Sequence, residues 1–382
     1  MEIIRRSDIR KALHLLRSNP VVALLGPRQS GKTTLSCQIV RRISGQAHFF
    51  DCENPRDVQR LSDPLTTLTD LEGMVVIDEI QRVPGLFPVL RVLADRGGRV
   101  KYLILGSASA EMLRQSSETL AGRIAFMEIS GFHRENVPSG KLERLWLRGG
   151  FPRSYLAKGE AGSFQWRQDF IATFLERDIP NLGLQIPPRM LQRFWSMLAH
   201  YHGRLFNASE IGRSLGVSDH TARRYLDLLA ATFMIREIKP WFYNTKKRII
   251  KSPKIYFRDS GILHALLSIE DKKGLITHPQ LGGSWEGFAV EEAIRVLEIR
   301  EHQAFFWGVH TGAEMDLVFE KNGRLYGIEV KYTQVPAMTF SIKAAINDLS
   351  LEHVWIIYPG TQEYPLSKNV TVSPLSGFSF KH

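Results

Sequence analysis

Eight residues near the start of the chain have the types and spacing needed to hold a polyphosphate. The string Gly26-Pro27-Arg28-Gln29-Ser30-Gly31-Lys32-Thr33 follows the apolar run 21–25 and leads into a helical stretch that starts at Thr34. Glycines let the backbone curl so that its N–H groups point inward, and the following helix adds its positive dipole end. The pattern predicts a phosphate-binding loop over Gly26–Thr34, with Lys32 on the β- and γ-phosphates and the Thr33 hydroxyl on Mg²⁺.

A pair of adjacent acids at the end of an apolar run is the second chemical signal. The run 74–77 predicts a strand that is buried on both faces, as in a parallel sheet. Asp78 and Glu79 stand at its C-terminal end, where such sheets place their ligands. We expect Asp78 to hold the water shell of Mg²⁺ and Glu79 to polarise the attacking water.

Two further polar residues lie next to predicted strands, and each has two interpretations. Ser107 directly follows the apolar run 101–106, so its hydroxyl could sense the γ-phosphate or could cap a helix over 109–113. Arg123 precedes the predicted strand 124–129, so its guanidinium could act as an arginine finger on a neighbouring subunit or form a surface salt bridge.

These motifs together resemble those of the AAA-type P-loop ATPases. Besides the phosphate loop, Val75–Glu79, Leu105–Ser107 and Ala121–Arg123 carry the likeness, which is closest to a prokaryotic group joined to a C-terminal domain of unknown function. Members of that group also show a Gly-Gly-Phe-Pro element and an acidic pair in a helix, for which Gly149–Pro152 and Glu176–Asp178 are the counterparts. The resemblance implies ATP as the nucleotide and a homo-oligomer, with a hexameric ring as one form.

A helix-turn-helix pattern covers residues 207–229, with Gly216 at the turn and Ser218 as the cap of the second helix. The following stretch 239–258 is rich in Lys, Arg and aromatic residues and contains no acid. Together with the net charge of +11, these features favour a nucleic-acid partner, with DNA expected. The alternative is a protein-packing module with a solvated basic face. The predicted nucleic-acid contacts are His220, Arg223, Arg224, Lys246, Lys247 and Arg248.

Residues 315–331 predict a β-hairpin around the two-residue turn Asn322-Gly323. The register set by that turn places Asp316 opposite Glu329, with Lys331 on the same face as Glu329. Two opposed carboxylates repel each other, and a divalent cation between them would remove that cost.

A helix predicted over 285–299 places Glu286 inside its apolar arc, whereas Glu291 and Glu298 point away from it. An acid on a buried face needs a partner. The combined acids and lysine resemble the restriction-endonuclease-like nucleases, in which the acids bind Mg²⁺ and the lysine orients water. The alternative is a Lys–carboxylate network on a scaffold sheet. The resemblance implies a tentative second metal site formed by Glu286, Asp316 and Glu329 with Lys331.

Composition limits the class of protein. The 382 residues are 43% hydrophobic and 23% charged, which is typical of a soluble globular protein with more than one domain. No apolar run approaches the ~20 residues of a membrane helix, and residues 1–6 lack a signal-peptide core. Two cysteines, Cys37 and Cys52, cannot form a disulfide framework, so a cytoplasmic location without membrane contact is expected.

The sequence therefore predicts an α/β protein in four parts. These are an AAA-type P-loop ATPase core with a parallel sheet (1–135), a helical lid or linker (136–188), a winged helix-turn-helix (189–258) and a small restriction-endonuclease-like α/β domain (259–382). The expected function is Mg²⁺-dependent ATP hydrolysis by a motor or switch that acts on nucleic acid. The alternatives are a metal-dependent nuclease gated by ATP and a nucleotide-switched protein-binding module without significant turnover.

Overall fold

The computed structural model describes residues 2–97, 100–107, 118–181, 186–241, 252–309 and 312–380. The chain divides into two compact units, which are described separately. The N-terminal unit comprises residues 1–138, 150–152 and 231–233, and the C-terminal unit comprises residues 139–149, 153–230 and 234–382.

Within its described residues, the N-terminal unit is built on a five-stranded parallel sheet in the order β2-β3-β4-β1-β5. The strands are β1 (Val21–Leu25), β2 (Ala47–Asp51), β3 (Met74–Asp78), β4 (Lys101–Gly106) and β5 (Ile124–Glu128). The helices are α1 (Arg6–Ser18), α2 (Lys32–Val40), α3 (Pro55–Arg60), α4 (Pro64–Thr69) and α5 (Leu86–Asp95).

Strand β1 lies between β4 and β5, and both of its faces are covered. Val21, Ala23 and Leu25 belong to one hydrophobic cluster, and the alternate residues Val22 and Leu24 belong to another. This alternation explains why β1 is a continuous apolar run without polar positions. The strand is thereby held on both sides, and it presents the loop after Leu25 at a fixed place on the sheet edge.

The described residues of the C-terminal unit form a nine-stranded mixed sheet in the order β13-β14-β12-β11-β10-β9-β7-β8-β6. The strands are β6 (Arg204–Leu205), β7 (Ile235–Pro240), β8 (Lys254–Phe257), β9 (Phe305–Gly308), β10 (Glu314–Lys321), β11 (Arg324–Val330), β12 (His353–Tyr358), β13 (Tyr364–Ser367) and β14 (Val370–Pro374).

The helices that lie entirely or mostly in this unit begin with α6 (Leu142–Arg148), α7 (Pro152–Tyr155) and α8 (Glu160–Thr173). A π-helical turn, Phe174–Asp178, joins α8 to α9 (Ile179–Asn181). The helices continue with α10 (Pro188–His200), α11 (Ala208–Leu215), α12 (Asp219–Ala231), α13 (Ser260–Leu266), α14 (Lys272–Thr277), α15 (Leu281–Leu297) and α16 (Phe340–Leu349). No helix in the described ranges is both long enough and apolar enough to cross a membrane.

The large sheet joins segments that the sequence treats as separate domains. Strands β6 to β8 come from the predicted winged segment, and β9 to β14 come from the predicted nuclease-like segment. The two groups meet where β7 pairs in parallel with β9, Lys239 lying opposite Phe305. The division into four parts is therefore finer than the two compact units of the structure.

The helix-turn-helix segment has its elements where the pattern predicts them. Helix α11 ends at Leu215, and Gly216 follows it with φ of +73°, a conformation that favours glycine. The Thr221 N–H donates to the Ser218 hydroxyl at 3.1 Å, which caps α12. The strands that follow, β7 and β8, form an antiparallel pair.

Candidate functional site

The predicted phosphate loop joins β1 to α2 in the N-terminal unit. Gln29 and Gly31 have φ of +62° and +88°, so the backbone curls just before the helix begins at Lys32. Gly26 serves a different purpose from the one that its place in the motif predicts. It is not among the residues with positive φ, but a Cβ there would lie 1.9 Å from the Ile129 carbonyl oxygen. Close packing against the end of β5 therefore requires this glycine.

The side chains of the loop converge with the acid at the end of β3. The Thr33 hydroxyl donates to Asp78 Oδ2 at 2.6 Å, although 45 residues separate them in the chain. Lys32 Nζ donates to the carbonyls of Gly26 and Pro27 at 3.0 and 2.9 Å. The buried Ser30 hydroxyl has no hydrogen-bond partner within the described residues. These groups fit a Mg²⁺–nucleotide, which needs a hydroxyl and a carboxylate beside a curled backbone.

Glu79 is connected to Ser107 through a residue that the sequence analysis missed. Gln81 Nε2 donates both to Glu79 Oε2 and to the Ser107 hydroxyl, the latter at 3.0 Å. Glu79 itself has φ of +50°, an unusual conformation for a residue with a side chain. The expected base and the expected phosphate sensor thus share one amide. The alternative helix-cap role of Ser107 concerns residues outside the described ranges.

Charged neighbours contact two further residues of the loop, Arg28 and Ser30. Arg28 pairs with Glu53 at 2.7 Å, and the exposed Thr34 follows Thr33 in the first turn of α2. The buried Arg5 donates to the Ser30 carbonyl at 3.2 Å and pairs with Asp8 at 2.8 Å. A lone Arg at the start of the chain gives no signal of this contact, because the pairing depends on the folded position of α1.

The Gly-Gly-Phe-Pro element contributes its last three residues to the N-terminal unit. The Phe132 N–H donates to the Gly150 carbonyl at 2.6 Å, and a Cβ on Gly150 would lie 2.2 Å from the Phe132 carbonyl oxygen. Pro152 Cγ lies 3.4 Å from the Cβ position of Gly31. The element therefore lies directly against the phosphate loop.

Arg123 forms the surface salt bridge that was one of its two predicted roles. Its guanidinium pairs with both carboxylate oxygens of Asp95, and its Nη1 donates to the Ala121 carbonyl at 2.8 Å. The side chain remains 35% exposed.

The predicted nucleic-acid contacts differ in their exposure. His220 and Arg224 are exposed on α12. Arg223 does not project freely as predicted, because its guanidinium pairs at 2.8 Å with both Asp227 and Glu237. Lys246, Lys247 and Arg248 lie outside the described residues.

The hairpin of β10 and β11 has the predicted register. Leu317 lies opposite Ile328, and one further step along that register places Asp316 opposite Glu329. Asp316 Oδ2 accepts the Val330 N–H at 2.9 Å, and Lys331 Nζ pairs with Glu329 Oε1 at 2.7 Å.

Glu286 approaches this hairpin from α15, but a second lysine stands between the acids. Lys254 Nζ lies 3.7 Å from Glu286 Oε1, 3.3 Å from Glu314 Oε2 and 3.4 Å from Asp316 Oδ1. Tyr256 donates to Glu286 Oε1 at 2.6 Å. The sequence places Lys254 among bases that would meet phosphate, and the structure corrects this because the side chain is only 4% exposed.

The prediction that Glu291 points away from the core is wrong. Its side chain is 2% exposed and pairs with Arg236 and with Arg295. Burial works to raise its pKa, but the guanidinium groups outweigh burial and lower the pKa to about 2. Helical periodicity assigns an acid outside the apolar arc to solvent. It gives no information that Arg236 of β7 pairs with Glu291 on that face.

The C-terminal acids lie close enough together for one acid to raise the pKa of its neighbours. Burial and the neighbouring Asp316 raise the pKa of Glu329 to about 8 and that of Glu286 to about 7. Burial disfavours the charge on Lys254, but Asp316, Glu286 and Glu314 outweigh burial and raise its pKa. Across the described parts of the chain, no group of three or more His, Cys, Asp or Glu side chains is arranged to hold a metal ion. The ammonium groups of Lys254 and Lys331 pair with these acids.

Three family models match successive parts of the chain. Residues 18–137 match an AAA domain, and residues 139–273 and 281–378 match two domains of unknown function, DUF8612 and DUF4143. The uncharacterized proteins Mb2031c of Mycobacterium bovis and Rv2008c of Mycobacterium tuberculosis are each 47% identical to this chain. Each alignment covers 97% of this chain and 84% of the relative. Among solved structures, the Walker-type ATPase PABY2304 of Pyrococcus abyssi is 15% identical, covering 70% of this chain and 96% of its own, with a TM-score of 0.46.

Proposed function

Because the chain belongs to the same family as the mycobacterial proteins Mb2031c and Rv2008c and carries an AAA domain, we propose that it binds ATP with Mg²⁺ and hydrolyses it. The observation that carries this proposal is the contact between Thr33 and Asp78 at 2.6 Å beside a curled loop. A hydroxyl and a carboxylate so placed are the protein ligands of a P-loop magnesium site.

In the proposed reaction, Lys32, Glu79 and Ser107 have different roles. Lys32 leaves the carbonyls of Gly26 and Pro27 and pairs with the β- and γ-phosphates. Thr33 and Asp78 would hold Mg²⁺, which would supply positive charge near the phosphates. Glu79 accepts a hydrogen bond from the attacking water and orients it in line with the bond that breaks. Ser107 donates to a γ-phosphate oxygen when that group is present.

Two substitutions separate nucleotide binding from turnover. Lys32→Ala is expected to abolish binding of a fluorescent ATP analogue, because it removes the cation that meets the phosphates. Glu79→Gln is expected to keep binding and to lower kcat by about 10²-fold or more, because the amide is a poor base. Glu72→Gln changes an exposed acid just before the same strand and is the matched control. Wild-type turnover in Glu79→Gln would contradict the assigned role.

We further propose that hydrolysis is coupled to nucleic acid, which makes the protein a motor or switch. The support is the net charge of +11 together with exposed His220 and Arg224 on the second helix of the helix-turn-helix segment. The test measures ATP turnover with and without single-stranded, duplex and branched DNA. Stimulation by one form would identify the partner, whereas equal rates in all cases would contradict the coupling.

We also propose a homo-oligomer in which Arg123 leaves Asp95 and completes the site of a neighbouring subunit. An exposed, surface-paired guanidinium is free to exchange partners at modest cost. Mixing Arg123→Ala chains with Glu79→Gln chains would restore turnover if arginine acts between subunits, because some sites would then hold both wild-type groups. Turnover that Arg123→Ala leaves unchanged would exclude this role.

A further inference from the structure

A buried ammonium group stands at the centre of the C-terminal acids. Lys254 Nζ lies within 3.3 to 3.7 Å of one oxygen from each of three carboxylates, those of Glu286, Glu314 and Asp316. Carboxylate oxygens grouped in this way are the usual surroundings of a hard divalent cation. In this chain the carboxylate oxygens surround the ammonium group of Lys254 instead of a metal ion. We refer to these four residues as the lysine-centred cluster.

The backbone fixes Lys254 in this position. It belongs to β8, where it pairs with Leu205 of β6 on one side and with Ile238 of β7 on the other. Tyr256, two residues further along, shares its face of the strand and donates to the same carboxylate, that of Glu286. Lys254 is only 4% exposed, so its ammonium group is held against these acids by the position of β8.

Both carboxylate oxygens of Asp316, which lies in β10, are already engaged. Asp316 uses Oδ1 for Lys254 and Oδ2 for the Val330 N–H. Glu329, opposite Asp316 on the hairpin, pairs through Oε1 with Lys331, and its buried Oε2 has no hydrogen-bond partner within the described residues. A divalent ion would have to compete with an internal cation that is present at an effectively fixed, high local concentration.

We propose that Lys254 takes the place of a divalent metal in this cluster, so that the C-terminal unit holds its acids together without Mg²⁺ and does not use a metal-activated water. The inference concerns only the C-terminal unit and is independent of ATP hydrolysis. It also explains how a sequence pattern typical of a metal site can exist without an arrangement that holds a metal.

The test is a calorimetric titration of nucleotide-free protein with Mn²⁺, together with melting temperatures in EDTA and in Mn²⁺. The wild type is expected to show no binding that depends on Asp316. Lys254→Met, which keeps most of the length of the side chain but removes its charge, is expected to melt lower in EDTA. Mn²⁺ should bind one site in this variant and raise its melting temperature by about 3 °C.

Two further variants identify the site that responds. Lys254→Met combined with Asp316→Asn should lose the acquired Mn²⁺ site. Lys272→Met, which removes an exposed lysine paired with Glu143 at 2.8 Å, should behave as the wild type.

Two outcomes would overturn the proposal. One is Mn²⁺ binding by the wild type that Asp316→Asn abolishes, or plasmid nicking with the same dependence. The other is a folded Lys254→Met variant that gains no Mn²⁺ site. If Lys254→Met does not fold, the comparison of the wild type with Asp316→Asn still decides the first outcome.

Discussion

At the scale of single residues, Gln81 is the least expected part of the nucleotide site. Its amide joins the carboxylate of Glu79 to the hydroxyl of Ser107. A γ-phosphate that takes the Ser107 hydroxyl would therefore change the hydrogen bonding of Gln81 and, through it, the orientation of Glu79. Glu79, the proposed base, would then be aligned only when triphosphate is present.

Gln81→Ala is expected to lower kcat about tenfold or more while the KM for ATP changes little, because the substitution affects the orientation of the base and not the grip on phosphate. Steady-state kinetics of ATP turnover measure both quantities. Gln59→Ala, an exposed glutamine of the same unit, is the matched control. A shift in KM alone would assign Gln81 to nucleotide binding instead.

The sequence could predict contacts that follow from a recognisable local motif. It missed contacts that depend on how distant segments pack in the folded chain. The contact between Thr33 and Asp78 was predictable because the loop after β1 and the end of β3 lie at the same edge of a parallel sheet. Gln81 follows the acid pair closely and carried a weak signal. The signal at Lys254 was misleading. A lysine in a basic stretch suggests a contact with phosphate, whereas the side chain lies against Glu286, Glu314 and Asp316.

At the scale of elements, the junction of β1 and the phosphate loop depends on close backbone packing. A methyl group at position 26 would overlap the Ile129 carbonyl, 1.9 Å from its oxygen. Gly26→Ala is therefore expected to lower the free energy of unfolding by about 1–3 kcal/mol and to weaken ATP binding, because β1 and β5 must separate locally.

Denaturant unfolding with and without Mg²⁺–ATP measures this effect. Gly85→Ala is the matched control, since nothing lies within 4 Å of its Cβ position and its φ is −61°. If both alanine variants unfold alike, backbone packing at the loop is not what requires glycine at position 26.

Glu329, in the hairpin of β10 and β11, makes the free energy of unfolding depend on pH. Burial and Asp316 raise the pKa of Glu329 from 4.5 to about 8, while Lys331 and Lys254 act in the opposite direction. The folded state thus holds a proton that the unfolded state releases above pH 4.5. This contribution to stability is complete below that pH and is lost as the pH rises through 8.

We expect the free energy of unfolding to fall on the order of 1–3 kcal/mol between roughly pH 6 and pH 9, as measured by urea denaturation. Glu329→Gln carries no titrating group and should show a smaller fall. Glu320→Gln, at an exposed position of the same hairpin, should keep the wild-type dependence. Equal slopes for the two variants would assign the pH dependence to other groups.

At the scale of the whole molecule, the order of the strands was the part that the sequence could not supply. Each strand was predictable from its apolar run, but the pairing of β7 with β9 joins segments that are distant in the chain. Such pairing depends on which strand edges remain unpaired after local folding, and the hydrophobic periodicity of the sequence does not encode that. The fold class was predictable, whereas the single sheet that spans the predicted winged and nuclease-like segments was not.

The net charge of +11 is also a property of the whole molecule, and it predicts how binding to DNA would respond to salt. Each phosphate contact contributes a slope of about −0.9 to the dependence of log K on log salt concentration. The variant His220→Ala/Arg224→Ala, which removes two exposed groups of α12, should weaken binding to duplex DNA and reduce the slope by about 1–2. Fluorescence anisotropy at several salt concentrations measures both.

Arg223→Ala is the contrasting variant on the same helix. Because this guanidinium is shared between Asp227 and Glu237, its removal should affect stability more than DNA affinity. A larger loss of DNA affinity in Arg223→Ala than in the double variant would mean that the arginine exchanges its acids for phosphate on binding. An affinity that no salt concentration changes would instead favour a protein partner for the helix-turn-helix segment.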